Sequence, residues 1–406
     1  MISQVLWSLI VRGLLIAAAF LSSIVTARIL GPEGRGVFFY WTTLAALVIQ
    51  FGNLGLHSSN TYYLAKGQVR LSTVAANSFW VSIIGGAALG GLLTGVLWLK
   101  GPTLHEKWPF LLPTLLMIPA GLYFMLGINL FIAMGRIGEY NTFELINRYL
   151  MLAFVILAAW RWRTPAAMLT VTSIAAATVC LFLYRRIRAL DAGQGPSIKV
   201  FIDGLSYAMR AYIAAALGFL VLRLNAFMLD RYADTATLGT WSVAAQLLDV
   251  IILVPSTIAL VLLPRIMRDK NPYGLMHSQL RMVTILLLLL CMLGAWLGHD
   301  LISLAYGERF AGAYAMMLWG LPGALALGLI SIHSQYLAAA GIPVALIWIW
   351  LGGLVVEAAM AVWLIPAYGG VGAMAAQSAT YMIILASVWS LANHSNHAKK
   401  VHSHAN

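Results

Sequence analysis

Charge is what this chain has least of. Asp, Glu, Lys and Arg make up 9% of its 406 residues and hydrophobic side chains 61%; soluble domains carry about 25% and about half, respectively. That balance, with a mean hydropathy of +0.87, excludes a soluble globular protein. Long polar stretches are missing too. The longest, Arg185 to Gly204, spans 20 residues, too short for a fused soluble enzyme, a receptor ectodomain or an ATP-driven motor. Cysteine is nearly absent: Cys180 and Cys291 sit in apolar runs without partner spacing and read as packed thiols, neither a disulfide framework nor a metal site. No paired-carboxylate site, Ser-His-Asp set, zinc motif or phosphate-cradling glycine loop appears, so neither enzyme chemistry nor a cofactor is expected. The glycine-rich GAALGGLLTG at 86–95 reads as close helix packing through small residues. The opening MISQVLWSLIVRGLLIAAAF has no basic leader region and no small-residue cleavage site, and reads as a first membrane helix.

What is present is a series of windows free of charge. A bilayer crossing takes about 20 apolar residues. Arg35 to Lys66, Arg70 to Lys100 and Lys107 to Arg136 each enclose about 30 uncharged residues, and Arg163 to Arg185 encloses another helix. Arg309 to Glu357 encloses nearly 50, divided by Gly341 and Pro343, a stop-and-restart signal. The windows predict an all-α polytopic membrane protein of twelve helices, near 4–27, 36–57, 74–99, 109–134, 146–162, 165–184, 205–229, 237–262, 281–299, 311–337, 342–365 and 369–392.

The net charge of +12 is here a topology signal, with no nucleic-acid partner implied, because cytoplasmic loops collect Lys and Arg. Placing the N-terminus inside puts 14 Lys and Arg in cytoplasmic loops against 8 outside, so both termini are expected in the cytoplasm of a bacterial inner membrane. The basic segment 185–204 divides a six-helix half, 1–184, from a second, 205–392; a polar tail, 393–406, holds four histidines and is expected to lack order. Arg28 and Gly36 recur as Arg231 and Gly239, both displaced by half the chain length. Two similar halves with a path at their interface is an architecture many secondary transporters use.

Residues 26–65 read TARILGPEGRGVFFYWTTLAALVIQFGNLGLHSSNTYYLA. A helix ends in Arg28, a turn runs from Leu30 to Gly36, and the next helix closes on Phe51, Gly52 and Gly55. This resembles the Wzx-type polysaccharide flippases of the MATE-like MOP superfamily. AMGRIGEYNTFELINR (133–148) and IPAYGGVGAMAAQSATYM (365–382) also look like that family, so the resemblance covers both halves. It implies a flippase moving a polyprenyl-diphosphate-linked oligosaccharide to the outer leaflet for O-antigen, capsule or exopolysaccharide synthesis. Membrane lipid and, beside the carrier, a polymerase and a chain-length regulator would be its partners. The chain departs from relatives that flip the peptidoglycan precursor, which have fourteen helices. It also departs from drug exporters, which carry acids within their helices. In the first half Glu33, Glu106, Glu139 and Glu144 fall in predicted loops or helix ends, leaving no acid at membrane depth there, with Glu33 and Arg35 holding the first turn at the interface.

Charges at membrane depth cost about 2.5–3.5 kcal/mol each on insertion scales. Arg12, Arg223, Asp249 and Glu357 lie deep in predicted helices, while Arg210 lies a turn inside and can snorkel. Two readings compete for Arg223: an ion pair with Asp249 across helices 7 and 8, or, with Arg12, a basic cavity receiving a diphosphate, whose oxygens suit the guanidinium fork. Asn225 is placed to contact sugar hydroxyls. Asp249 and Glu357 are candidates for ion coupling. The competing functions are a cation-coupled multidrug exporter of the MATE type and a membrane glycan polymerase or ligase. The latter needs a long outer loop that the sequence does not offer.

Overall fold

The computed structural model describes residues 2–99, 104–191, 193, 195–269, 271–339, 341 and 343–404; the side chains of 2–6, 8, 9, 104, 105, 210, 211, 260, 261, 264 and 395–404 lie outside the description. The described residues form helices and short connections. Ten helical stretches are long and apolar enough to cross a membrane. Two of them, α1 (Ile2–Gly52) and α12 (Ala345–His404), double back at a glycine. Arg35 Nη2 donates to Ser23 Oγ at 3.0 Å, although a straight helix would separate these residues by about 18 Å. A Cβ on Gly372 would lie 2.1 Å from the Leu364 carbonyl oxygen, which again requires a reversal. The reversals sit at Gly31 (φ 67°) and Gly369 (φ 55°), conformations open to glycine. Pro32 then starts the second helix where its missing N–H costs nothing. The spans therefore number twelve among the described residues, as expected.

Several boundaries differ from the sequence reading. The second span does not close at Phe51–Gly55 but breaks there and resumes as α2 (Leu56–Ala65). Leu54 and Gly55 both have positive φ, and the backbone groups so released need partners inside a membrane. The fully buried Asn53 supplies them. Its Nδ2 donates to Gln50 O at 3.0 Å and its Oδ1 accepts from Gly55 N at 3.0 Å and from His57 Nδ1 at 2.7 Å. The third span is α3 (Leu71–Trp80), a π-helical turn (Val81–Gly85) and α4 (Gly86–Leu99). The fourth is α5 (Leu104–Ala133). The fifth, α6 (Ile137–Arg161), starts nine residues earlier than the 146 expected from its charges. Its first turn is held by charge pairing: Glu139 accepts from Arg136 and, at 2.7 Å, from Arg186 of α7 (Pro165–Leu190).

The basic linker is likewise shorter than expected. α7 continues to Leu190 and α8 (Ile198–Tyr232) begins at Ile198, so only 191–197 connect them. That connection is clamped to α3. Asp191 Oδ2 accepts from Ser72 N at 2.9 Å and Oδ1 from Gly193 N at 3.0 Å, contacts that hold its carboxyl below the usual carboxylate range. Asn77 grips Ser197 from both sides, donating to its carbonyl at 2.9 Å and accepting from its N–H at 2.8 Å. The histidine-rich tail, expected to be without order, continues α12 as backbone helix to His404.

The chain divides into two compact units, Met1–Tyr212 and Ile213–Asn406, with the boundary inside α8. In the first, α5 lies amid α1, α2, α4, α6 and α7. Its Leu130 and Phe131 pack with Phe143 of α6 and Val179, Leu183 and Ile187 of α7. Cys180 Sγ donates to Ala120 O at 2.9 Å, a packed thiol. In the second unit, α11 (Gly312–Ala339) is flanked by α9 (Thr235–Ile266), α10 (Pro272–Tyr306) and α12. Gly320 and Gly323 permit this approach: a Cβ on either would meet Leu248 Cδ1 at 2.3 Å or Ser378 Oγ at 2.7 Å.

Candidate functional site

The second unit places its polar side chains on three neighbouring elements. Arg223 and Asn225 come from α8, Asp249 from α9, and Glu357 from the first half of α12. The second half of α12, after the Gly369 reversal, brings Ala373, Gln377, Thr380 and Tyr381, whose spacing of three and four residues sets them on one face.

Asn225 and Glu357 are both fully buried. Asn225 Nδ2 donates to Glu357 Oε1 at 2.6 Å and to the Ala373 carbonyl at 3.0 Å, so both amide hydrogens are committed. Around this contact Asn225 Oδ1 has no hydrogen-bond donor among the described residues. The Thr380 hydroxyl faces the Glu357 carboxyl as a donor, though Oε2 and Thr380 Oγ1 fall short of full hydrogen-bond geometry. Buried polar atoms are ordinarily satisfied. A buried carboxyl with one oxygen so poorly satisfied can take up a proton or a small cation. Asn225, read from sequence as a sugar contact, is thus turned to Glu357 and walled off from solvent.

Arg223 and Asp249 do meet, with Nη2 and Oδ2 3.7 Å apart and both side chains partly exposed. At that distance the contact is an ion pair without a hydrogen bond. Phe219 lies beneath the guanidinium, 6.0 Å from its ring centroid. A cavity of about 20 Å³ opens between Arg223, Asp249, Trp241, Gln377 and Tyr381, room for about one water. Gln377 Nε2 donates to Tyr381 Oη at 3.0 Å.

In the first unit Arg12 is exposed on α1. Its charge acts on Glu144 and Tyr140 of α6, as does that of Arg148 on Glu144. Glu144 belongs eight residues into α6, about 10 Å along it. The expectation that the first half carries acids only in loops and at helix ends is corrected here, since the longer α6 takes Glu144 into the span. Arg35 is not an interfacial turn residue: it is buried, folded back onto Thr26 Oγ1 and Ser23. Arg210 lies in α8, its side chain outside the described residues.

Gln377, Thr380 and the Ala373 carbonyl were not singled out from the sequence. Uncharged polar residues leave a charge-free window unchanged; the signal that finds them is polar spacing of three and four within an apolar span.

Twelve helical spans with ionisable side chains buried in them define a polytopic membrane protein of transporter architecture. Residues 2–269 match the family described as polysaccharide biosynthesis protein, and the chain belongs to that family. Its fold is similar to that of the lipid II flippase MurJ in an inward closed conformation (TM-score 0.77, 13% identity, 95% of this chain and 87% of that one). It is also similar to an inward-facing multidrug resistance MATE transporter of the MOP superfamily (TM-score 0.75, 11% identity, 94% of each chain). A mutant of the Vibrio cholerae MATE transporter VcmN aligns with a TM-score of 0.68 and 15% identity over 95% of each chain. At these identities the likeness is one of fold. No curated protein matches the chain.

Proposed function

We propose that the protein is a flippase carrying a polyprenyl-diphosphate-linked oligosaccharide from the cytoplasmic to the outer leaflet of a bacterial inner membrane, for cell-surface polysaccharide synthesis. Membership of a polysaccharide biosynthesis family and a fold shared with a lipid II flippase support this reading. The observation that carries it is the state of Arg223: a guanidinium within a membrane span, opposed by Asp249 at 3.7 Å without a hydrogen bond. A diphosphate brings more charge than one carboxylate and offers oxygens in pairs, so it competes well for the guanidinium fork. Arg12, set against Glu144 with Arg148 nearby, plays the same part in the first unit, and Arg210 adds a cation on α8. Without fixed positive charge the diphosphate would cross an apolar medium unsolvated.

Segments 1–184 and 205–392 act as the two halves of an alternating-access carrier, with both termini cytoplasmic as the Lys and Arg bias indicates. Glu357 takes up and releases a proton or small cation during the cycle, and Asn225 is its positioning residue. A polymerase and a chain-length regulator act on the delivered unit. The experiment is complementation of a strain lacking its polysaccharide flippase. Arg223→Ala and Arg12→Ala should abolish surface glycan at normal protein level, with Lys restoring part. A cation-coupled exporter is the second reading, favoured by the acids Glu357 and Glu144 within the spans; ethidium efflux without glycan restoration would establish it instead.

A further inference from the structure

The first unit has a feature of its own. Two adjoining recesses of opposite character share Trp80 and Pro196 as their common wall. One, of about 240 Å³, lies where α7 ends and α3 begins, and is lined by Tyr123, Tyr184, Arg188 and Asp191. The other, of about 720 Å³, is a groove lined by Phe51, Ile84, Leu89, Ile198 and Phe201. It runs along the π-helical turn Val81–Gly85, a distortion that often marks functional sites. Its rim faces outward: Ile84 is 62% and Ile198 79% exposed.

The smaller recess carries one charge of each sign, but only the cation is free of backbone partners. Both oxygens of Asp191 are occupied by the backbone N–H groups of Ser72 and Gly193, whereas Arg188 is exposed at the last turn of α7. The recess lies at the most basic stretch of the sequence, Arg185 to Lys199, which covers the end of α7 and the start of α8, the side on which Lys and Arg place the cytoplasm. Basic pockets between helices at that level hold anionic lipid head groups. A cation and two tyrosines stepping directly into an outward-facing apolar groove match a single molecule with a phosphate at one end and a hydrocarbon chain at the other.

We propose that this pair of recesses is a binding site for an anionic glycerophospholipid of the cytoplasmic leaflet, its phosphate at Arg188 and one acyl chain along the groove past Trp80. None of its lining residues has a part in the flippase reading, so the proposal does not depend on it.

The test uses the full-length protein in nanodiscs. Quenching of Trp80, taken as the difference between wild type and Trp80→Phe, is measured with brominated phosphatidylglycerol or brominated phosphatidylcholine. The expected result is a roughly fivefold preference for phosphatidylglycerol, the order one guanidinium confers at an anionic surface. Arg188→Gln should remove the preference and Arg188→Lys keep most of it. Arg161→Gln, at the C-terminal end of α6 and outside both recesses, should leave it unchanged. Ile84→Phe, which narrows the groove without adding a fluorophore that the assay reads, should lower quenching by both lipids, with size-exclusion profiles showing that each variant is folded. Equal quenching by the two lipids, or a preference that survives Arg188→Gln, would overturn the proposal. So would displacement of phosphatidylglycerol by equimolar polyprenyl phosphate, which would make this a cargo site.

Discussion

Glu357→Gln isolates the buried carboxyl. Bringing an ion out of water costs several kcal/mol even after relaxation. The Asn225 contact at 2.6 Å returns about 1.5–3 kcal/mol as a hydrogen bond to a charged group. The Thr380 hydroxyl is the other donor facing the carboxyl, short of full hydrogen-bond geometry at Oε2, so a deficit on the order of 2 kcal/mol remains for a bare anion, roughly thirtyfold in population. A proton or a small cation removes that deficit, and its release requires a different arrangement of α8 and α12. Glutamine has the same shape, still accepts from Asn225 and offers its amide hydrogens toward Thr380, but it can neither protonate nor balance a cation. Cargo translocation by the Gln variant should fall at least about tenfold and lose its response to proton and sodium gradients, with the melting temperature held near that of wild type. Translocation with an unchanged pH and sodium response would refute the argument.

Three further outcomes are expected. Arg223→Ala should abolish transport, and adding Asp249→Ala should not restore it; restoration in complementation would make Arg223 only the structural partner of Asp249. Asn53→Leu should destabilise the first unit by about 2–4 kcal/mol, because the Gly55 N–H loses its acceptor and a buried donor without a partner costs about 1–3 kcal/mol by itself, read as lower melting temperature and yield; Asn53→Asp, which keeps the acceptor, should recover part. Reporter fusions after Lys66, Gln194 and Lys399 should score cytoplasmic and one at Lys107 periplasmic, and a periplasmic score at Gln194 would overturn the orientation.

Much of the fold was legible because membrane spans are written in charge-free length, and a missing charge is easy to read. The reversal at Gly31–Pro32 was legible as well, since that dipeptide admits few other backbones. What misled was charge inside helices. Glu139 looked like a loop residue, yet Arg136 and Arg186 neutralise it and α6 begins before it. The Phe-Gly-x-x-Gly element looked like a helix end because its repair by Asn53 depends on a side chain whose geometry composition does not record. Of the site, Arg223 and Asp249 could be paired by depth and adjacency. Asn225 and Glu357 could not: 132 residues separate them, and nothing local in either helix names its partner.

The central question is whether this chain moves a lipid-linked glycan. Purified protein in sealed vesicles, loaded with a fluorescent polyprenyl-diphosphate oligosaccharide, should expose that lipid to an impermeant quencher on the opposite leaflet within the assay time. Arg12→Ala and Arg223→Ala vesicles should perform no better than protein-free ones. Lipid that stays protected in wild-type vesicles, or that flips equally well in the two arginine variants, would contradict the account.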